Sequence, residues 1–307
     1  MLRTAMFSRF IVSALLSLTA LTPVAHAQTA ASRPAIMYGI LPGGDLNWYR
    51  HNANLTGGGL QDAGSWNPVS GKTVGIGWNG MKEVFPGGNG VIYAITPNGD
   101  LKWYKHSANL TGGGLQDAGS WDPSSGKTVG IGWNEFQKVF SGGNGVIYGI
   151  LPNGDLKWYK HSAYLTGGGL QDAGSWNPLS GKTVGIGWNG FKDVFSGGNG
   201  IIYVITQNGD LKWYKHTAYQ TGGGLQDAGS WNSLSGKTVG IGWNGFKQVF
   251  STGRGIMYGI LPNGDLKWYR HTAYQTGGGL QDAGSWNSLS GKTVGIGWNS
   301  FLTVFGF

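Results

Sequence analysis

The words TGGGLQDAGSW occur five times in this chain, starting at Thr56, Thr111, Thr166, Thr221 and Thr276 at a constant spacing of 55 residues. A period of this length restricts the fold to repeat arrays. Each copy is a small supersecondary unit that can bury its apolar face only against its neighbours. The fifteen tryptophans follow the same period, three to a copy, and so do Tyr38, Tyr93, Tyr148, Tyr203 and Tyr258.

Four β-prone runs are legible in each copy. In the third, VIYGI (Val146 to Ile150) is β-branched and aromatic and ends at Asn153-Gly154, a two-residue hairpin signal. LKWYKH (Leu156 to His161) alternates, a glycine-rich loop runs through Trp176, and TVGIGW (Thr183 to Trp188) leads into FKDVF (Phe191 to Phe195). No apolar run holds helical spacing for more than a turn, so no helix is expected. Four antiparallel strands in each of five units predict an all-β, five-bladed β-propeller over residues 35–307. The ends support a ring over a solenoid. The chain enters the array at IMYGI (Ile36 to Ile40) without a preceding FxxVF run and leaves on FLTVF (Phe301 to Phe305) without a following IYGI run. Joining them completes a blade, and closure is expected to leave no free sheet edge.

Low charge (12%) and 13% aromatic residues exclude a disordered chain despite 59 glycines. Residues 1–27 read as a secretory signal, with Arg3 and Arg9, an apolar run from Phe10 to Leu21, and an Ala25-His26-Ala27 cleavage site. Residues 28–34 then form a polar leader. The expectation is a secreted protein, extracellular or held at the cell surface or in a periplasm. No run is long enough for membrane insertion. The formal net charge is +8, or +6 without Arg3 and Arg9. Its lysines and arginines are dispersed singly, without a basic run or basic helix, which argues against nucleic acid as a partner.

The absence of cysteine removes disulfides and thiolate metal sites. Catalysis needs an asymmetric constellation, and here the titratable residues repeat: His51, His106, His161, His216 and His271 fall one to a copy. Glu83 and Glu135 are single occurrences. Nucleophile-elbow, zinc-protease and P-loop spacings are missing, so no enzyme, no metal and no cofactor are expected.

Binding remains. Sugar recognition needs an aromatic face and a few fixed polar groups. The second copy offers backbone amides of the glycine triplet, Gln116, Asp117 and Trp121, followed by Trp133 and Asn134. The alternative reading makes this a long surface loop whose aspartate holds a turn. The order of a hairpin strand, Asp followed by Trp, and then G-x-G-W-x-x-F-x-x-V-F resembles the tachylectin-type five-bladed propeller lectins over Ile36 to Phe307. The resemblance implies sites between blades, one for each, taking N-acetylated hexosamines such as N-acetylglucosamine or N-acetylgalactosamine. Position by position it points to Asp62, Trp66, Trp78 and Asn79, and to Asp117, Trp121, Trp133 and Asn134. It points equally to Asp172, Trp176, Trp188 and Asn189, to Asp227, Trp231, Trp243 and Asn244, and to Asp282, Trp286, Trp298 and Asn299. The family has Asp-Asn-Trp where this chain has Asp-Ala-Gly-Ser-Trp. The expected protein is a multivalent, non-catalytic, monomeric lectin whose partners are extracellular glycans. The rival is a propeller scaffold for protein–protein interaction or surface adhesion without sugar specificity.

Overall fold

Hairpin chemistry sets the first joins of every blade. In a computed structural model, which describes residues 33–307, β1 (Ala35–Ile40) turns through Pro42-Gly43-Gly44-Asp45 into β2 (Leu46–His51). Gly44 takes φ 95°, a left-handed conformation that costs glycine little. A long loop then leads to β3 (Lys72–Gly75). The second blade is β4 (Glu83–Gly88), β5 (Val91–Ile95), β6 (Leu101–Lys105) and β7 (Lys127–Gly130). The third is β8 (Lys138–Gly143), β9 (Val146–Ile150), β10 (Leu156–Lys160) and β11 (Lys182–Gly185). The fourth is β12 (Asp193–Gly198), β13 (Ile201–Ile205), β14 (Leu211–Lys215) and β15 (Lys237–Gly240). The fifth is β16 (Gln248–Gly253), β17 (Ile256–Ile260), β18 (Leu266–Arg270) and β19 (Lys292–Gly295), after which β20 (Thr303–Gly306) remains. The signal segment and most of the leader lie outside the described residues.

Five four-stranded antiparallel sheets result, and the first has the order β20-β1-β2-β3. Phe305 pairs with Tyr38 and Thr303 with Ile40, so the last strand completes the first blade and the ring closes as expected. The strands β4, β8, β12, β16 and β20 stand innermost, around an axial cavity of about 220 Å³.

Three details differ from the sequence reading. The outer strands stop at Gly75 and its counterparts, before the third tryptophan. A left-handed glycine (Gly77, φ 76°) ends the extended run, and Trp78–Gly80 forms a single 3-10 turn, as happens in every copy. The inner strands begin later and run through the following glycines. Closure also leaves β3, β7, β11, β15 and β19 as free outer edges. Each is four residues long with a shifted register against its partner, the kind of short, irregular edge that resists pairing with another chain.

The core lies between blades. Trp48, Trp103, Trp158, Trp213 and Trp268 are fully buried, as are the five tyrosines of the strands before them. Each such ring buries roughly 150–250 Å². Burial of an indole demands a partner for its N–H, and the next blade supplies one: Trp48 Nε1 donates to the Asn109 carbonyl at 2.6 Å. The histidines do the same in reverse. His106 Nε2 lies 2.8 Å from the Gly113 carbonyl, which can only accept, so the proton sits on Nε2 and Nδ1 accepts from Tyr38 Oη at 2.7 Å. His51 and Tyr258 close this ring of bonds at 2.8 Å. Burial holds His51, His106, His161 and His216 down to about pKa 4 and lowers His271 as well.

Candidate site between the blades

The TGGG loop is folded against the outer strand of the blade before it. Gly112 takes φ 73°, and a Cβ there would meet Trp48 at 2.5 Å; one on Gly113 would meet Ser120 Oγ at 2.1 Å. The triplet is therefore needed for close packing. Two of its three amides are taken, contrary to the sequence expectation: Gly112 N–H donates to the Ala108 carbonyl and Gly114 N–H to Asp117 Oδ2 at 2.7 Å. The same Asp117 oxygen accepts from Lys72 Nζ of the preceding blade at 2.8 Å. The Lys72 ammonium and the Gly114 amide hold this exposed carboxyl below its usual range, and Asp62, Asp172, Asp227 and Asp282 are held likewise.

Trp121 then anchors the end of the loop. Its Nε1 donates to the Val74 carbonyl of the preceding blade at 2.9 Å, and its ring stacks on His106 with centroids 4.7 Å apart. The indole is only partly buried and lies 6.1 Å from Trp78, which is buried against Tyr104 at 4.7 Å. Two exposed aliphatic side chains stand on the elements that frame the cleft, Leu115 (45% exposed) on the loop and Ile76 (68%) before Trp78. Between the fourth and fifth blades the equivalent cleft measures about 220 Å³ and is lined by Ile241, Trp243, Tyr269, Leu280, Trp286 and Ser290, with Gly240.

The residues that sequence placed in one copy are thus divided between two clefts. Asp62 and Trp66 face Lys292, Val294 and Trp298, the pair of indoles 5.9 Å apart, whereas Trp78 faces Trp121. Trp176 meets Trp133 at 6.1 Å, Trp231 meets Trp188 at 5.8 Å, and Trp286 meets Trp243 at 6.0 Å. Asp172 and Asp227 pair with Lys127 and Lys182. Asn79, Asn189 and Asn299 are exposed and use their amides to hold the carbonyls of Pro42, Pro152 and Pro262; Asn244 does so more loosely with Gln207. Asn134 lies against the equivalent glycine turn at Gly99. Sequence reasoning missed Lys72, Tyr104, Ile76 and their counterparts. The repeated S-G-K-T was a visible signal, but its lysine finds its partner 45 residues away in the next copy.

The axial cavity has a different character. At one mouth the five copies carry different groups at the same position, Glu83, Lys138, Gln248 and Thr303 lining the cavity and Asp193 lying beside Lys138. Lys138 Nζ lies 3.4 Å from Glu83 and 3.9 Å from Asp193. Glu83 Oε2 accepts from the Val139 amide at 2.9 Å, and Gln248 Oε1 from that of Val304 at 3.0 Å. Five identical charges converging on an axis would repel, so this is where near-identical copies must diverge. The polar groups satisfy one another. Among the described residues no cluster of three or more His, Asp or Glu could hold a metal ion, and no helix is long and apolar enough to cross a membrane.

The fold is that of a repeat-built propeller with one cleft at each blade boundary. The family model described as Tachylectin matches residues 30–114, 113–169 and 163–307, and the chain belongs to the tachylectin family. A search of curated proteins gives no match. A solved structure from work on the de novo evolutionary emergence of a symmetrical protein is 20% identical, covering 88% of this chain and 97% of its own, with a TM-score of 0.53. The SapL1 lectin in complex with alpha methyl fucoside is 15% identical over 85% of this chain and 84% of its own, at a TM-score of 0.32. AofleA from Arthrobotrys oligospora is 12% identical over 90% and 71%, at 0.36. At these identities the first shows the fold, and the other two carry no further weight.

Proposed function

We propose that this protein is a secreted, non-catalytic lectin with five equivalent carbohydrate sites, one in each cleft between blades, selective for N-acetylated hexosamines. The observation that supports it most is the recurrence at every blade boundary of a partly buried indole, Trp66, Trp121, Trp176, Trp231 or Trp286, opposite a buried one. An indole held rigidly by its own N–H bond and a stacked histidine offers a preorganised apolar face to a sugar ring. Exposed leucine and isoleucine nearby suit an acetamido methyl, and the Lys–Asp pair can orient hydroxyls. Membership of the tachylectin family supports the same reading.

One shallow cleft gives weak affinity, and five on a ring give avidity toward clustered glycans because each bound site raises the effective concentration for the next. Titration calorimetry with N-acetylglucosamine and N-acetylgalactosamine is expected to give a stoichiometry near five with quenched or shifted tryptophan fluorescence. Trp121→Ala removes one site and lowers that number by one. Silence across a broad glycan array, combined with a protein partner captured in excess free sugar, would instead establish the scaffold reading.

A further inference from the structure

We propose that the face bearing the long loops binds an anionic polysaccharide, one rich in uronate or sulfate, through a ring of five cations: Arg50, Lys105, Lys160, Lys215 and Arg270. This rests on the lectin reading and names the larger glycan on which the individual sugars would be displayed. The five occupy the same position, at the end of the third strand of each blade, so the strand direction puts them all at one rim of the propeller.

Their charges are not neutralised. Each head group reaches to the residue just before the TGGG of the next copy. Arg50 donates to the Leu110 carbonyl at 2.8 Å, Lys105 to that of Leu165 at 2.9 Å, Lys215 to that of Gln275 at 3.1 Å and Arg270 to that of Leu55 at 2.8 Å, while Lys160 donates to Gln220 Oε1. These acceptors are uncharged, and none of the five forms an ion pair among the described residues. By contrast Lys72 and its counterparts are cancelled by Asp117 and its counterparts. Arg254, exposed in the axial turn between β16 and β17, and Arg33, just ahead of β1, add to the same face, and Asp122 is its one unpaired carboxylate. On the opposite rim the Asn-Gly-Asp turns set carboxylates against lysines, as in Asp100–Lys102 at 3.3 Å and Asp155–Lys157 at 3.5 Å. The excess positive charge of the chain is therefore concentrated on one face.

Such a field draws polyanions by counterion release, and guanidinium and ammonium groups match carboxylate and sulfate oxygens. A flat ring beside sugar-sized clefts fits a branched or flexible polysaccharide better than duplex DNA, since no described element is a helix or ribbon that could enter a groove.

The test measures retention of the whole protein on immobilised polygalacturonate, dextran sulfate, neutral dextran and duplex DNA between 50 and 300 mM NaCl. Binding to either acidic polysaccharide, none to dextran, and a linear fall of log affinity with log salt are expected. Polygalacturonate and dextran sulfate separate a carboxylate from a sulfate preference. The variant R50Q/K105Q/K160Q/K215Q/R270Q is expected to lose at least about tenfold in that affinity while its N-acetylglucosamine isotherm is unchanged. Should it not fold, the single changes Lys105→Gln and Lys215→Gln are each expected to reduce the salt slope by about one. No retention on either polyanion at 50 mM NaCl, variants that bind as the native protein does, or tighter binding to DNA overturns the proposal. Loss of N-acetylhexosamine binding with polyanion binding intact would overturn the lectin reading alone.

Discussion

At every blade boundary one buried histidine must stay neutral. Its folded pKa is about 4 in four of the five copies, against about 6.5 for an unperturbed imidazole. The unfolded chain therefore binds protons between these values and the folded one does not. Stability is full above about pH 6.5 and falls as pH drops toward 4, by up to about 3 kcal/mol for each of these four histidines. Four such losses are comparable to the 5–15 kcal/mol that typically holds a domain together, and His271 shifts in the same direction. Calorimetric melting temperature is expected to decline steeply over this window, and the His106→Gln variant should melt lower at pH 7.5 yet show a shallower decline. A flat profile would show that protons reach the folded histidines freely. The carboxylates act in the same direction but at lower pH: Asp117 and its counterparts are held below the usual range, so the loop ion pairs survive as pH falls through about 4 and are lost only below it.

The glycine-rich loop is the element on which each cleft depends, and its glycines are not equivalent. Gly112 combines a positive φ with a 2.5 Å approach to Trp48, whereas Gly119 has φ 74° and open space where its Cβ would go. Gly112→Ala is expected to destabilise the protein by about 2–4 kcal/mol, and Gly119→Ala by about 1 kcal/mol. Denaturant titration of the two variants checks this; equal effects would mean that the packing against Trp48 is soft. The loop also explains why a site spans two copies. Its tryptophan must place an N–H on the Val74 carbonyl, and that carbonyl belongs to the outer strand of the preceding blade.

The ring as a whole is closed by four residues. Val304 and Phe305 of β20 are buried against the first blade, and burying side chains of this size contributes roughly 1.5–3 kcal/mol each. Ending the chain at Leu302 is expected to lower the melting temperature sharply. It should also remove first the proposed sugar site formed by Trp298 with Asp62 and Trp66, because that cleft alone joins the two ends of the array. Calorimetric stoichiometry of the truncated protein at low temperature, set beside its melting curve, reads both effects. A truncated chain that melts like the native one would show that blade contacts suffice without the closing strand.

The period of 55 residues, the Asn-Gly hairpins and the complementary runs at IMYGI and FLTVF determine the blade count and the way the ring closes, since short-range turn chemistry and pattern are properties of the chain itself. The alternation of Leu156 and Trp158 likewise names core residues before any coordinates exist. Sequence also picks out Trp66 and Asp62 and their counterparts as unusual, although near-identical copies make a packing residue look like a binding one. Tertiary structure alone decides the rest. It assigns Trp48 to the core, Trp66 to a half-open cleft and the glycine triplet to packing, because burial depends on what the neighbouring blade brings. It also moves each cleft across the copy boundary and collects lysines that lie singly in sequence onto one face, because the field of a ring depends on where strands end in space and not on their order along the chain.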